Sequence, residues 1–130
     1  MNIGSGESVI TLLAGAYYRT IAKGNLLMEK VNLFFTPDVS LVIKTANITY
    51  DMMRENKIDL SYGKSILVGC YKMLLFIRNR IENTVTICSN EDAKSAIALI
   101  DGSKISVRKM CVEYECFHFV TEYRDSFYKA

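Results

Sequence analysis

Residues 61–81 read SYGKSILVGCYKMLLFIRNRI, and this stretch decides the fold class. Its apolar residues recur every three or four positions, which is the period of one face of an α-helix. The residues on this face are Ile66, Cys70, Met73, Leu74, Ile77 and Ile81. Ser61 is suited to cap the helix, and we expect the helix to end near Glu82 and Asn83.

A second helix is predicted to begin at Thr36-Pro37-Asp38. Thr36 is a suitable cap, Pro37 fits the first helical position because its missing N–H needs no partner there, and Asp38 lies near the positive end of the helix dipole. The apolar residues that follow at helical spacing are Val39, Val42, Ile43, Ala46, Tyr50 and Met53. We therefore expect a helix of at least about three turns from this point.

Two further helices are expected nearer the amino terminus. The first starts at Ser5 or Gly6 and stops near Gly24, and its apolar residues are Ile10, Leu13, Ala14, Tyr17 and Ile21. Asn25 then caps a short helix that carries Leu27, Val31, Phe34 and Phe35.

The last third of the chain has a different pattern. Residues 84–88 (TVTIC) and 104–108 (KISVR) alternate β-branched and other residues over too few positions for a helix, which predicts two short strands near 84–88 and 104–109. Between them, Ser89 caps a helix from about Glu91 to Ile100 that Asp101-Gly102 closes. Residues 111–128 fit both the two-residue period of a strand and the 3.6-residue period of a helix. A helix is favoured, and the alternative is an α+β fold with a strand at 111–120.

The predicted fold is therefore mainly α, a single compact domain over residues 1–130 with about five to six helices and a small two-stranded β element. The length of 130 residues and a hydrophobic share of 50% suit one domain with its own core. A single Pro, no Trp and abundant Ile, Lys, Asn and Tyr are typical of an AT-rich genome, such as that of a phage, a virus or a low-GC bacterium.

The composition also limits the cellular compartment and the classes of partner that we expect. The formal net charge of +2 is too small to indicate a nucleic-acid or membrane partner by itself. The longest apolar stretch, Ile66 to Ile77, is short of the roughly 20 residues that span a bilayer. The four cysteines, Cys70, Cys88, Cys111 and Cys116, are expected to be free thiols. We expect a cytoplasmic protein in a reducing environment, with no membrane partner.

Motifs for catalysis or ligand binding are weak. Tyr62-Gly63-Lys64-Ser65 resembles the end of a phosphate-binding loop, but the position of its first glycine holds Ile58. Cys88, Cys111, Cys116 and His118 are zinc-ligand types at poor spacing, and carboxylate pairs such as Glu91/Asp92 are better explained as charge at a helix start. We expect no catalytic residue, no cofactor and no metal, and hence no enzyme.

Two classes of binding remain. Several apolar residues fall off the predicted helix faces, which suggests burial against another subunit, and the candidate interface residues are Leu41, Ile48, Met52, Leu67, Leu75 and Phe76. The leading prediction is a protein–protein interaction or assembly module, either a homo-oligomer or a small subunit of a larger complex. The alternative is a nucleic-acid-binding regulator whose basic patch is Lys72, Arg78, Arg80, Lys104, Arg108 and Lys109.

Overall fold

The computed structural model describes residues 14–15 and 31–116. Most of these residues belong to three long helices: α1 (Val31–Arg54), α2 (Leu60–Thr84) and α3 (Glu91–Glu113). A short 3-10 helix (Ile87–Ser89) lies between α2 and α3. Each long helix contacts the other two. Because the connections are short, successive helices run antiparallel, and the described chain forms an up-down-up bundle around a shared core.

The amino-terminal caps lie one or two residues from the predicted ones. Asp59, and not Ser61, caps α2, because its side chain accepts the Tyr62 N–H at 3.1 Å. Asn90, and not Ser89, caps α3 by accepting the Ala93 N–H at 3.0 Å. Each cap reaches the N–H three residues ahead, so it satisfies a donor that has no partner within the helix.

Helices α1 and α3 each end in the same type of hydrogen-bonded turn, the Schellman motif. At α1, Asn56 has a φ of 56°, and the Lys57 N–H donates to the Met52 carbonyl at 2.8 Å. At α3, Glu115 has a φ of 56°, and the Cys116 N–H donates to the Cys111 carbonyl at 2.8 Å. These bonds satisfy helix carbonyls that would otherwise lack donors, and they turn the chain sharply at both points.

The predicted helix start at Thr36-Pro37 is wrong. Residues 31–35, which the sequence assigned to a separate short helix, are continuous with α1, so both Thr36 and Pro37 lie within that helix. Pro37 lacks the N–H that would bond the carbonyl of Leu33, which weakens the helix at one point without ending it. The expected continuation beyond residue 37 is confirmed, since α1 extends to Arg54.

The predicted two-stranded β element is also wrong, and the described residues contain three long helices and no strand instead of five to six helices with strands. Residues 104–109 lie inside α3, which passes through Asp101-Gly102 without ending. Residues 84–88 contain the end of α2, an extended residue at Val85 and the start of the 3-10 helix. The physical reason is that β propensity is weak beside tertiary packing, which here buries Ile100 and Val107 on one helix face.

The alternative strand at 111–120 is contradicted where the structure describes it, because Cys111 to Glu113 belong to α3. Residues 114–116 form the turn that follows α3, and residues 117–120, together with all of the predicted helix from Ser5 except Ala14 and Gly15, lie outside the described residues. Ala14 and Gly15 are helical.

The core lies between the three helices. Its largest fully buried side chains are Leu67, Leu74, Ile77, Ile81, Ile100, Val39, Val42 and Val107. Three polar residues of α1 are buried, Asp38, Thr45 and Thr49. The Thr45 hydroxyl donates to the Leu41 carbonyl at 2.9 Å, and the Thr49 hydroxyl donates to the Thr45 carbonyl. Because these hydroxyls bond their own helix, burying them leaves no donor unpaired.

None of residues 66–78 of helix α2 is exposed. Its 25 residues are long and apolar enough to cross a membrane by length and composition, with a mean hydropathy of 1.3 over the best window. A helix packed between two neighbours has the same composition, so this property is weak evidence for a membrane span.

Candidate protein-association surface

The outer face of α3 is an exposed seam, and three of its seven positions, Ala98, Ile105 and Val112, carry apolar side chains. Its positions alternate in steps of four and three residues, which keeps them in line along one side of a helix. They are Glu91, Ser95, Ala98, Gly102, Ile105, Lys109 and Val112, and all seven are exposed. Ile105 is 59% exposed and Val112 is 56% exposed. We call this set the α3 seam.

The α3 seam lies opposite the face that α3 turns to the core. The buried residues of α3 are Ala93, Ala96, Ile100, Val107 and Cys111, which form the other side of the helix. A Cβ added at Gly102 would have nothing within 4 Å, so the middle of the seam is open. Large apolar side chains exposed on the side of a helix away from its core, as Ile105 and Val112 are, are a feature of binding surfaces.

The six predicted interface residues lie in different surroundings. Leu67 and Met52 are 0% and 6% exposed and belong to the core, so the bundle itself accounts for their apolar character. Leu41, Ile48 and Phe76 are partly buried and packed against that core. Leu75 is also partly buried.

Of the six residues of the predicted basic patch, two lie close together in the structure. Arg78 of α2 donates to Asp101 of α3 at 2.8 Å and also pairs with Glu82. Lys104 lies 3.7 Å from the same Asp101 carboxylate. Two of the six cations therefore converge on an anion of the chain itself, which offsets their charge.

The other four basic residues are spread over the two helices. Lys72 is partly buried on α2, and burial lowers the pKa of its amine. Arg80 is also partly buried on α2, whereas Arg108 and Lys109 are exposed on α3. Lys109 belongs to the α3 seam, and Arg108 lies one helical heptad from Asp101, on the side that faces Arg78.

The cysteines are all free thiols in the structure, and three of them lie in the interior. Cys111 and Cys116 meet across the turn that ends α3, and contact with Cys116 together with burial raises the pKa of Cys111. Burial raises the pKa of Cys70 to about 12. Cys88, which has a side chain of a zinc-ligand type, is exposed on the 3-10 helix, and His118 lies outside the described residues.

Within the described part of the chain, no group of three or more His, Cys, Asp or Glu side chains is arranged to hold a metal ion. The three interior cysteines lie beside apolar core residues. Burial raises the pKa of Cys70, and contact with Cys116 together with burial raises that of Cys111, so both favour the neutral thiol over the thiolate that a metal would require. The hydrogen bond from Cys111 instead lowers the pKa of Cys116.

An aromatic and ionic cluster joins the carboxyl ends of α1 and α3. The Tyr50 hydroxyl donates to the Glu113 carboxylate, and the Tyr50 and Tyr114 rings meet edge to face with centroids 5.8 Å apart. The hydrogen bond to Glu113 raises the pKa of Tyr50, and the Arg54 guanidinium lies 5.5 Å from the ring centroid. This exposed cluster ties the two helix ends together next to a shallow surface depression lined by Asp51, Arg54 and Glu55.

The resemblance of Tyr62-Gly63-Lys64-Ser65 to a phosphate-binding loop has a packing explanation. Gly63 is buried in the first turns of α2, and a Cβ there would lie 2.5 Å from the Met53 side chain. The glycine therefore allows α1 and α2 to approach each other closely.

Sequence reasoning missed the α3 seam, although its signal is present in the sequence. The spacing from Glu91 to Val112 alternates four and three throughout. It was hidden because Asp101-Gly102 was interpreted as a helix end and residues 104–109 as a strand, so Ile105 and Val112 were not assigned to the helix that carries Ala98.

No family model matches this chain, and no curated protein or solved structure matches it significantly.

Proposed function

We propose that this chain is a non-enzymatic protein-association module, working as a homo-oligomer or as a small subunit of a larger assembly. The observation that carries the proposal is the α3 seam, where Ile105 and Val112 are more than half exposed one heptad apart. Isolated exposed apolar residues are common on protein surfaces, but a line of them at coiled-coil spacing is typical of a helix that packs on a partner.

The geometry of the basic residues supports association over nucleic-acid binding. A surface that contacts phosphates presents cations without intervening carboxylates, since counterion release is what drives that binding. Here Arg78 and Lys104 share Asp101, and Arg78 also pairs with Glu82. The carboxylates lower the local positive potential at the place where α2 and α3 bring cations together.

Light scattering coupled to size-exclusion chromatography, at about 50 and about 300 mM salt, tests the proposal, because an apolar interface weakens little with salt and phosphate contacts weaken steeply. We expect either self-association or capture of a protein partner at both salt concentrations, and we expect Ile105→Asp to abolish it while circular dichroism remains helical. A strict monomer that binds an oligonucleotide in a salt-sensitive way, and captures no protein through Ile105, would overturn the proposal.

A further inference from the structure

We infer that the partner of the α3 seam is a second copy of this chain, packed with its own α3 antiparallel to the first. The inference rests on the proposed association function and adds the identity and orientation of the partner. It is carried by charge and size complementarity between the two halves of the seam, on either side of its centre between Ala98 and Gly102.

In an antiparallel pair with its twofold axis midway between Ala98 and Gly102, the six seam residues from Glu91 to Lys109 each face a different seam residue of the second copy, and Val112 lies beyond the paired part. Ala98 faces Gly102, Ser95 faces Ile105, and Glu91 faces Lys109. A two-fold axis repeats each contact on the other side of the centre, as an isologous interface requires. The two small residues are thus brought to the middle and opposite charges to the ends.

The small central residues remove the main steric limit on how close the helices come. Helix axes usually lie about 8–10 Å apart, with the separation set by the side chains at the contact. At Gly102 nothing occupies the space within 4 Å of an added Cβ, and Ala98 has only a methyl group. The second helix can therefore approach the backbone of α3, and Ile105 of each copy packs beside Ser95 of the other.

The charges select the antiparallel orientation. In a parallel pair Glu91 would face Glu91 and Lys109 would face Lys109, which places like charges opposite each other at both ends. In the antiparallel pair each Glu91 gains Lys109 of the other copy. Within its own helix Glu91 has only the exposed Lys94 amine, 3.3 Å away, and exposed pairs of this kind contribute little.

The size of the contact predicts a weak dimer. From Glu91 to Lys109 the seam is about 27 Å long. A single helix pair of that length buries an area at the small end of specific interfaces, the size of weak and transient complexes.

The first test places a charge at the centre of the seam. We expect Ala98→Glu to make the protein monomeric in light scattering at concentrations where the unmodified chain is dimeric, because each new carboxylate would lie against Gly102 of the other copy, where the close approach of the two helices leaves no room for the side chain or for its hydration. The matched control is Asn47→Glu, which adds the same charge at an exposed position of α1. It is expected to leave the dimer intact, and circular dichroism and thermal unfolding should show both variants folded.

The second test reverses the end charges. Glu91→Lys alone and Lys109→Glu alone should each weaken the dimer several-fold, since each places like charges opposite each other at two symmetry-related points. The double variant restores opposite charges in the antiparallel pair and should recover most of the affinity. In a parallel pair each single change would replace one contact between like charges with another and cause no such loss, which would overturn the inference. With an unrelated protein as partner, the double variant would not recover the affinity.

The outcomes separate this inference from the broader proposal. A dimer that survives Ala98→Glu, or single-variant losses that the double variant does not restore, would overturn the antiparallel pairing and leave an association module that uses another surface or orientation. A chain that stays monomeric at all concentrations would overturn the second-copy inference, and protein capture through Ile105 would then decide whether the proposed function stands.

Discussion

Gly63 and Met53 are in closer contact than any larger residue at position 63 would permit. A Cβ on Gly63 would lie 2.5 Å from both Cγ and Sδ of Met53, a separation that real side chains do not adopt. Gly63 is the fourth residue of α2 and Met53 is the penultimate residue of α1. The contact therefore sets how closely the two helices approach beside the loop that joins them.

We expect Gly63→Ala to destabilise the protein by roughly 1–3 kcal/mol, because Met53 must move out of a packed position to admit the methyl group. The matched control is Gly102→Ala, which adds the same methyl group where nothing lies within 4 Å. That change should stabilise the helix by about 0.5–1 kcal/mol. Urea unfolding measures both, in dilute protein so that association does not contribute. Equal effects of the same sign would contradict the packing explanation.

When an apolar side chain is truncated, the loss of unfolding free energy should depend on how deeply the side chain is buried and not only on its hydrophobicity. Ile77 is fully buried in α2, whereas Ile43 of α1 is only partly buried. We expect Ile77→Ala to lower the free energy of unfolding by about 2–5 kcal/mol and Ile43→Ala to lower it by clearly less. The midpoints of urea unfolding, measured for variants with the same dependence of unfolding free energy on urea concentration, compare the two losses. A larger loss for Ile43 would mean that α1 is rotated relative to the core.

Stability should fall at high pH because of Cys70. Burial raises the pKa of this thiol from its ordinary value near 9 to about 12. Below pH 9 the thiol is protonated in both states and its contribution is complete. Above pH 9 the unfolded chain loses the proton and the folded chain keeps it, so the free energy of unfolding should fall by up to about 1.4 kcal/mol per pH unit toward pH 12.

The Cys70→Ala variant isolates this effect, since it leaves the other titrating groups in place. The difference in unfolding free energy between the original chain and the variant should be constant up to pH 9 and shrink above it. A difference that stays constant across the whole range would show that the Cys70 thiol has its ordinary pKa in the folded protein.

The four cysteines should react with a thiol reagent in two classes. Cys88 is exposed, and Cys70, Cys111 and Cys116 are buried. In the folded protein we expect one thiol to react rapidly and the other three only after unfolding, because the reagent must reach the sulfur. Ellman's reagent measures this, and Cys88→Ser should remove the rapid phase. Rapid reaction of several thiols in the folded Cys88→Ser variant would contradict the burial of the other three.

The central helix could be predicted closely from the sequence. Residues 61–81 carry a long and regular apolar period, and α2 extends from Leu60 to Thr84. The α3 start was also within reach, because Glu91 and Asp92 mark the positive end of a dipole. These features succeed because they are local: a helix face and a helix start are each defined by residues within a few turns of each other.

Other features could not be predicted locally. Pro37 suits a helix start but lies within α1, and Gly102 suits a helix end but lies within α3. Residues 104–109 alternate as a strand would, yet Val107 is buried and Ile105 is exposed on opposite sides of α3. A glycine inside a helix costs only about 1 kcal/mol, and burying Ile100 and Val107 on either side of it contributes more than that.

The spacing of apolar residues along the chain was enough to predict a helical protein and the position of α2. Which apolar residues remain outside the core became clear from the packing of the three helices. Leu67 and Met52 were predicted to meet a partner and are buried in the bundle, whereas Ile105 and Val112 remain exposed. Exposure depends on how the three helices are rotated against one another. The apolar period of the sequence identifies the apolar face of each helix, but it does not show which neighbouring helix covers that face.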